Sequence, residues 1–142
     1  MYARANTLYH HGIHMNIQST MFQSSFDPDV FGPPLWFTLH NAATSYSNQP
    51  TEVEKQRMKL LIENLIMLIP CASCKEHFYT FVSQSNLNRV VASRENLFNF
   101  FVHAHNYVNR RLQKPVMSLE TAMNKYGFHS PHNGSTVRIT YQ

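Results

Sequence analysis

Cysteine is nearly absent. The 142 residues hold two, Cys71 and Cys74, too few for the cross-linked framework of a small secreted domain. Long apolar runs are missing as well. Nothing approaches the roughly 18 residues of a membrane span, and no stretch near the N-terminus resembles a signal peptide. The expectation is an intracellular protein, or one packaged from the cell interior, with no membrane association. No strand–helix–strand alternation is visible, which argues against a thioredoxin-like setting for the cysteines. Charge is sparse at 14% of residues, with a formal net charge of +4 and no long Lys/Arg block. That excludes a nucleic-acid groove but suits a phosphate-bearing cofactor.

What is present is apolar and aromatic. Hydrophobic residues make up 43%, and ten Phe and seven Tyr leave room for a flat aromatic ligand beyond the needs of a small core. The length suits one domain with a real core. Residues 1–28 read as a flexible extension, residues 29–128 as the domain and residues 129–142 as a flexible tail. His10, His11 and His14 lack a Cys or acidic companion, so a polar arm is the better reading than a metal site. The pattern predicts five helices. The first runs from Pro33 or Pro34 to about Tyr46, after the turn signals Asp27-Pro28 and Gly32-Pro33-Pro34. The second has Thr51 and Glu54 as a capping box and continues to Ile69, with Val53, Leu61, Leu65 and Leu68 as its apolar positions. The third runs from the cysteine motif to Ser83, and a polar connection leads on to Ser93. The fourth runs from Arg94 to Gln113 with Leu97, Phe98, Phe101, Ala104, Val108 and Leu112 as its stripe. The fifth starts after Ser118 and ends near Tyr126, with Gly127 as its stop and Phe128 folding back. Residues 137–141 are consistent with a short strand. The fold class is all-α: a four-helix bundle with a fifth short helix packed across one end.

Three clusters carry chemistry. In Pro70-Cys71-Ala72-Ser73-Cys74, the proline marks a helix start, where unpaired N–H groups and the positive dipole end favour a thiolate. A spacing of three brings both sulfurs to one face. The pair is redox-active, structural or metal-binding on this pattern alone. Zinc requires two more ligands, and His103 and His105, two apart on a helix, do not face one metal together. The second cluster is His105-Asn106-Tyr107-Val108-Asn109 with Arg110 and Lys114. A ridge of Asn and His, mediocre helix formers, suits hydrogen bonds to a heterocycle or ribose, with Lys114 or Arg110 near a phosphate. The third is Gly32 with Trp36 and His40, four apart on one helix, an aromatic and imidazole wall for a planar ligand.

In this combination and order, Trp36-x-x-x-His40, Pro70-Cys71-x-x-Cys74 and His105-Asn106-x-Val108-Asn109-x-x-Leu112-x-Lys114 resemble the Erv/ALR flavin-linked sulfhydryl oxidases. The resemblance covers the chain from about Phe31 to Tyr126, and Tyr126 falls where members carry Trp or another aromatic. It implies FAD held at the mouth of the bundle, a homodimer, and disulfide formation in protein thiols with O2 reduced to H2O2. It implies Cys74 as the sulfur beside the flavin and Cys71 as the outer sulfur that substrate thiolates attack. It makes Gly32, Trp36, His40, His105, Asn106, Val108, Asn109, Leu112, Lys114 and Tyr126 cofactor contacts, with His77 and Phe78 lining the same pocket and no metal. The chain departs from many relatives in lacking a second disulfide and a shuttle cysteine pair. Substrates must therefore reach Cys71 directly or through a thioredoxin-like relay protein. Minimal members of this kind are similar to those of large cytoplasmic DNA viruses, which places the protein in host cytoplasm and virion. The alternative is a non-enzymatic helical interaction module whose Cys pair is structural or binds zinc. A third reading keeps the flavin but sends electrons to an acceptor other than oxygen.

Overall fold

The structure is a computed structural model that describes residues 26–129. The N-terminal histidines, the tail beyond His129 and the strand expected over residues 137–141 lie outside that range. Among the described residues the elements are α1 (Pro28–Thr44), α2 (Glu52–Asn64), a 3-10 turn (Leu65–Leu68), α3 (Ala72–Ser83), α4 (Leu87–Val90), α5 (Arg94–Arg111) and α6 (Leu119–Lys125). The four long helices α1, α2, α3 and α5 form the expected bundle. Its principal packing sets α1 along α5, and the short α6 packs on α5. None of these helices is long and apolar enough to cross a membrane.

The core is centred on α5. Leu97, Phe98, Phe101, Val102 and Ala104 are buried there, joined by Ile62, Val91 and Ala43. Burying each large side chain contributes about 1.5–3 kcal/mol. The predicted α5 stripe holds through Ala104, then opens: Val108 is half-buried and Leu112 is 40% exposed. Several caps form as read. Thr51 and Glu54 make both halves of the capping box, and Ser93 and Ser118 cap α5 and α6. Gly127 has φ 65°, and the Phe128 amide donates to the Met123 carbonyl over 2.9 Å. That left-handed glycine turns Phe128 back onto Phe98, 4.8 Å between ring centroids.

Three expectations change. Helix α1 starts at Pro28, ahead of the expected Pro33 or Pro34. Asp27 caps it by accepting from the Asp29 amide over 2.8 Å, and Pro28 takes the first position, where a missing N–H costs nothing. The Gly32-Pro33-Pro34 signal is not a turn but part of the helix's second turn, where two residues without N–H cannot bond the carbonyls of Asp29 and Val30. Helix α2 stops at Asn64 and tightens to 3-10. That change of pitch, about 3.0 in place of 3.6 residues per turn, re-aims the side chains from Leu65 onward. Ile62, Leu65 and Ile69 are buried, whereas Val53, Leu61 and Leu68 face outward. The polar connection before α5 contains the short α4, capped by Asn86, which accepts from the Arg89 amide.

Candidate functional site

A cavity of about 790 Å³ opens between α1, the segment from Leu65 to Phe78, the C-terminal half of α5 and the end of α6. That lies toward the upper end of the range for small-molecule sites. Gly32 and Trp36 line it from α1; His105, Val108, Asn109 and Leu112 line it from α5. Lys114 and Tyr126 close one side, and Cys71, Cys74 and Phe78 form the other. Gly32 is buried, yet a Cβ there would sit 4.0 Å from Trp36 Cδ1, an ordinary contact, so its absence leaves space to the cavity rather than relieving a clash.

The α1–α5 wall is a stack of rings. Trp36 and His105 lie parallel, 4.4 Å between centroids and 6° between planes. His40 stacks on Tyr126 at 4.4 Å and 22°. His40 Nε2 and His105 Nδ1 share a hydrogen bond of 3.1 Å. His40 is wholly buried behind the wall, and its Nδ1 has no partner among the described residues. Burial pushes both imidazoles down to about 4. His105 and Lys125 add to the effect at His40; Lys125 and Lys114 add at His105. Both rings are therefore neutral near pH 7, and a wall of uncharged rings suits a planar heterocycle. Burial raises the Tyr126 phenol.

The Asn ridge has a second duty. Asn106 is buried and does not reach the cavity. Its Nδ2 donates to the Met117 carbonyl over 2.7 Å, and its Oδ1 accepts from the Met117 amide over 2.9 Å. Asn109 Nδ2 donates to the Pro115 carbonyl over 3.1 Å. These side chains tie down the loop that carries Lys114. Gln113, the first residue past the C-cap of α5, takes φ 55°, and the Lys114 amide reaches back to the Asn109 carbonyl over 2.8 Å. The Lys114 ammonium forms an ion pair with Asp29 at the start of α1.

The cysteine rim is more local. Cys71 and Cys74 are joined in a disulfide. Cys71 is the N-cap of α3: its sulfur accepts from the Cys74 amide over 3.3 Å and lies 3.4 Å from Ser73 Oγ. His77 turns back onto the carbonyl of Ser73 and does not line the cavity. Among the residues that line the cavity without having been expected there, three are polar or charged: Ser73, Arg111 and Lys125. Ser73 sits between the cysteines. Lys125 is the basic residue of the last turn of α6, its ammonium 5.5 Å from the Tyr126 ring centroid. With Lys114, Arg111 and Lys125 place three cations beside the ring wall. Among the described residues no three of His, Cys, Asp or Glu gather as a metal site.

The model of the Erv1 / Alr family matches residues 33–127. Protein 096R of Invertebrate iridescent virus 3, assigned to the FAD-linked sulfhydryl oxidases, is 37% identical over 116 residues, 82% of this chain and 77% of its own. The FAD-linked sulfhydryl oxidase of African swine fever virus (isolate Tick/Malawi/Lil 20-1/1983) is 32% identical over 97 residues, 68% of this chain and 79% of its own. The crystal structure of the yeast Erv1 core superposes with a TM-score of 0.65 at 31% identity, over 70% of this chain and 83% of that one. The matched segment contains both the ring wall and the disulfide, and the chain belongs to the Erv1/Alr family.

Proposed function

We propose that the protein is an FAD-linked sulfhydryl oxidase that makes disulfides in thiol-containing proteins through Cys71 and Cys74, with O2 as final acceptor and H2O2 as product. The observation that carries this is a disulfide set in the wall of a cavity whose other wall is a neutral stack of aromatic and imidazole rings. The residues fit FAD. Trp36, His105 and Tyr126 offer flat surfaces, Asn109 a hydrogen-bonding edge, and Arg111, Lys114 and Lys125 positive charge for a diphosphate. Gly32, Val108 and Leu112 complete the lining. His40 and Asn106 support from behind, His40 by orienting His105 and Asn106 by holding the Lys114 loop. His77 takes part only through the Ser73 carbonyl. When bound, FAD supplies two-electron acceptor chemistry that returns the reduced cysteines to the disulfide.

The rest is the chain's own work. A substrate thiolate attacks Cys71 Sγ, and Cys74 leaves as a thiolate. A second substrate thiolate then attacks the substrate sulfur and displaces Cys71. Cys74 packs against the core, which supports its role as the inner sulfur; Cys71 ends the helix, which supports its role at the substrate side. With no further cysteine in the chain, electrons enter from substrate directly or from a thioredoxin-like relay. A homodimer is supported by exposed apolar residues on α1 (Val30, Phe37) and on α2 (Val53, Leu60, Leu61). The viral relatives support a site of action in host cytoplasm and virion.

Purified protein should be yellow with one FAD per chain and should consume oxygen when given dithiothreitol. A colourless protein containing zinc would reject this reading in favour of a structural cysteine pair. A yellow protein that oxidises dithiothreitol only with an added dye or electron-carrier protein would reject O2 as acceptor.

A further inference from the structure

Among the described residues, Ser73 is the one polar side chain that meets the disulfide. Its Oγ lies 3.4 Å from Cys71 Sγ, and it lines the cavity. The Cys74 amide reaches the same sulfur over 3.3 Å. Two donors thus converge on Cys71, the sulfur at the tip of α3. Ala72, the other residue between the cysteines, has only a methyl group. The hydroxyl is carried on the first turn of α3, so the helix geometry that caps Cys71 also delivers the donor.

We propose that the Ser73 hydroxyl is a catalytic group of this site, donating to Cys71 Sγ and stabilising the thiolate that leaves when oxidised substrate is released. The inference rests on the thiol-oxidase reading for its setting. In the first exchange a substrate thiolate forms a bond to Cys71 Sγ and the Cys71–Cys74 bond breaks, with the electron pair going to Cys74. In the second exchange another substrate thiolate forms the substrate disulfide and the substrate–Cys71 bond breaks, with the electron pair going to Cys71. Two substrate thiolates have become one disulfide, and the two electrons reside on the cysteine pair. The leaving sulfur's acidity sets the speed of the second step. A hydrogen bond to a charged acceptor is among the stronger kinds. Ser73 therefore speeds product release and lowers the pKa of Cys71 in the reduced protein.

The test isolates Cys71 in a Cys74→Ala background of the full chain, purified with its bound flavin. The pH dependence of iodoacetamide alkylation gives the Cys71 midpoint. Adding Ser73→Ala raises that midpoint by about half to one pH unit, a roughly threefold to tenfold loss of thiolate stability. Ser73→Thr restores it, and Ala72→Ser leaves it in place. With both cysteines present, Ser73→Ala shifts the equilibrium with glutathione about threefold to tenfold toward the disulfide, or about 14–30 mV for a two-electron couple. Far-UV circular dichroism confirms that helix content is retained. An unchanged midpoint together with an unchanged glutathione equilibrium overturns the proposal. Neither readout requires turnover. Wild-type protein that consumes no oxygen with dithiothreitol while the shift persists overturns the oxidase reading and leaves the Ser73–Cys71 interaction standing.

Discussion

The ring wall and the disulfide rim face one cavity but are held in different ways. The rim is local: Cys71, Ser73, Cys74 and His77 bond among themselves within two turns of α3. The wall is assembled across the fold. His40 meets His105 over a separation of 65 residues, and the Asn106 clamp on Met117 spans 11. Its members are also deeper, with His40 wholly buried and Asn106 7% exposed. A local, exposed rim tolerates substitution of its chemical groups without loss of the fold. A buried wall made of mutual hydrogen bonds does not, because each member lost leaves a buried partner unsatisfied.

Two variants should separate these roles most widely. Cys74→Ser abolishes thiol oxidation, while its urea midpoint in reductant stays near wild type and the flavin remains bound. Asn106→Ala leaves the Met117 amide and carbonyl without their side-chain partner and costs on the order of 2–3 kcal/mol of stability. It keeps some turnover, with weakened FAD retention as the Lys114 loop loosens. Chemical unfolding and oxygen-electrode assays of both variants decide the matter. If Cys74→Ser unfolds as readily as Asn106→Ala, the rim is structural and the contrast collapses.

The same division explains what could be read from the sequence. Cys71 and Cys74 belong to a short motif after Pro70, and the caps at Thr51, Ser93 and Ser118 depend on adjacent residues, because the interactions are themselves local. The spacing of Trp36, His40, His105 and Asn109 put the right helices around the cavity. It did not reveal that Asn106 and His40 serve from behind, since a residue's depth depends on partners distant in the chain. On α2, apolar residues occur on several faces, so periodicity could not choose Ile62 and Leu65 over Leu61 and Leu68. The early start of α1 hid behind three prolines that resemble a turn. It forms because Asp27 and Pro28 make a good helix entry and α5 supplies the surface on which α1 packs.

Titration offers a finer comparison. His40 and His105 titrate near 4 in the folded protein against 6.5 for the free side chain. As pH falls through 6.5, the unfolded chain takes up protons that the folded wall refuses, so stability drops until pH reaches about 4 and then levels. Urea midpoints between pH 7 and 4 should show a slope in that window of up to about two protons beyond that of other groups. His105→Gln should remove about half of that slope, whereas Cys71→Ser should preserve it. Equal slopes in all three proteins would mean that the buried imidazoles are not the origin.

The smallest effect sits where the wall meets the Lys114 loop. Gln113 is exposed and adopts φ 55°, a conformation that disfavours a side chain with a Cβ. Glycine carries no such penalty but gives the unfolded chain more freedom, which offsets part of the gain. Gln113→Gly should therefore stabilise the protein by about 0.5–1 kcal/mol, read as a modest rise in thermal midpoint. It alters no ring and no sulfur, so thiol oxidation should be unchanged. A gain in stability accompanied by lost FAD retention would mean that Gln113 stiffens the loop for the cofactor, and that the wall extends beyond α5 into its C-terminal turn.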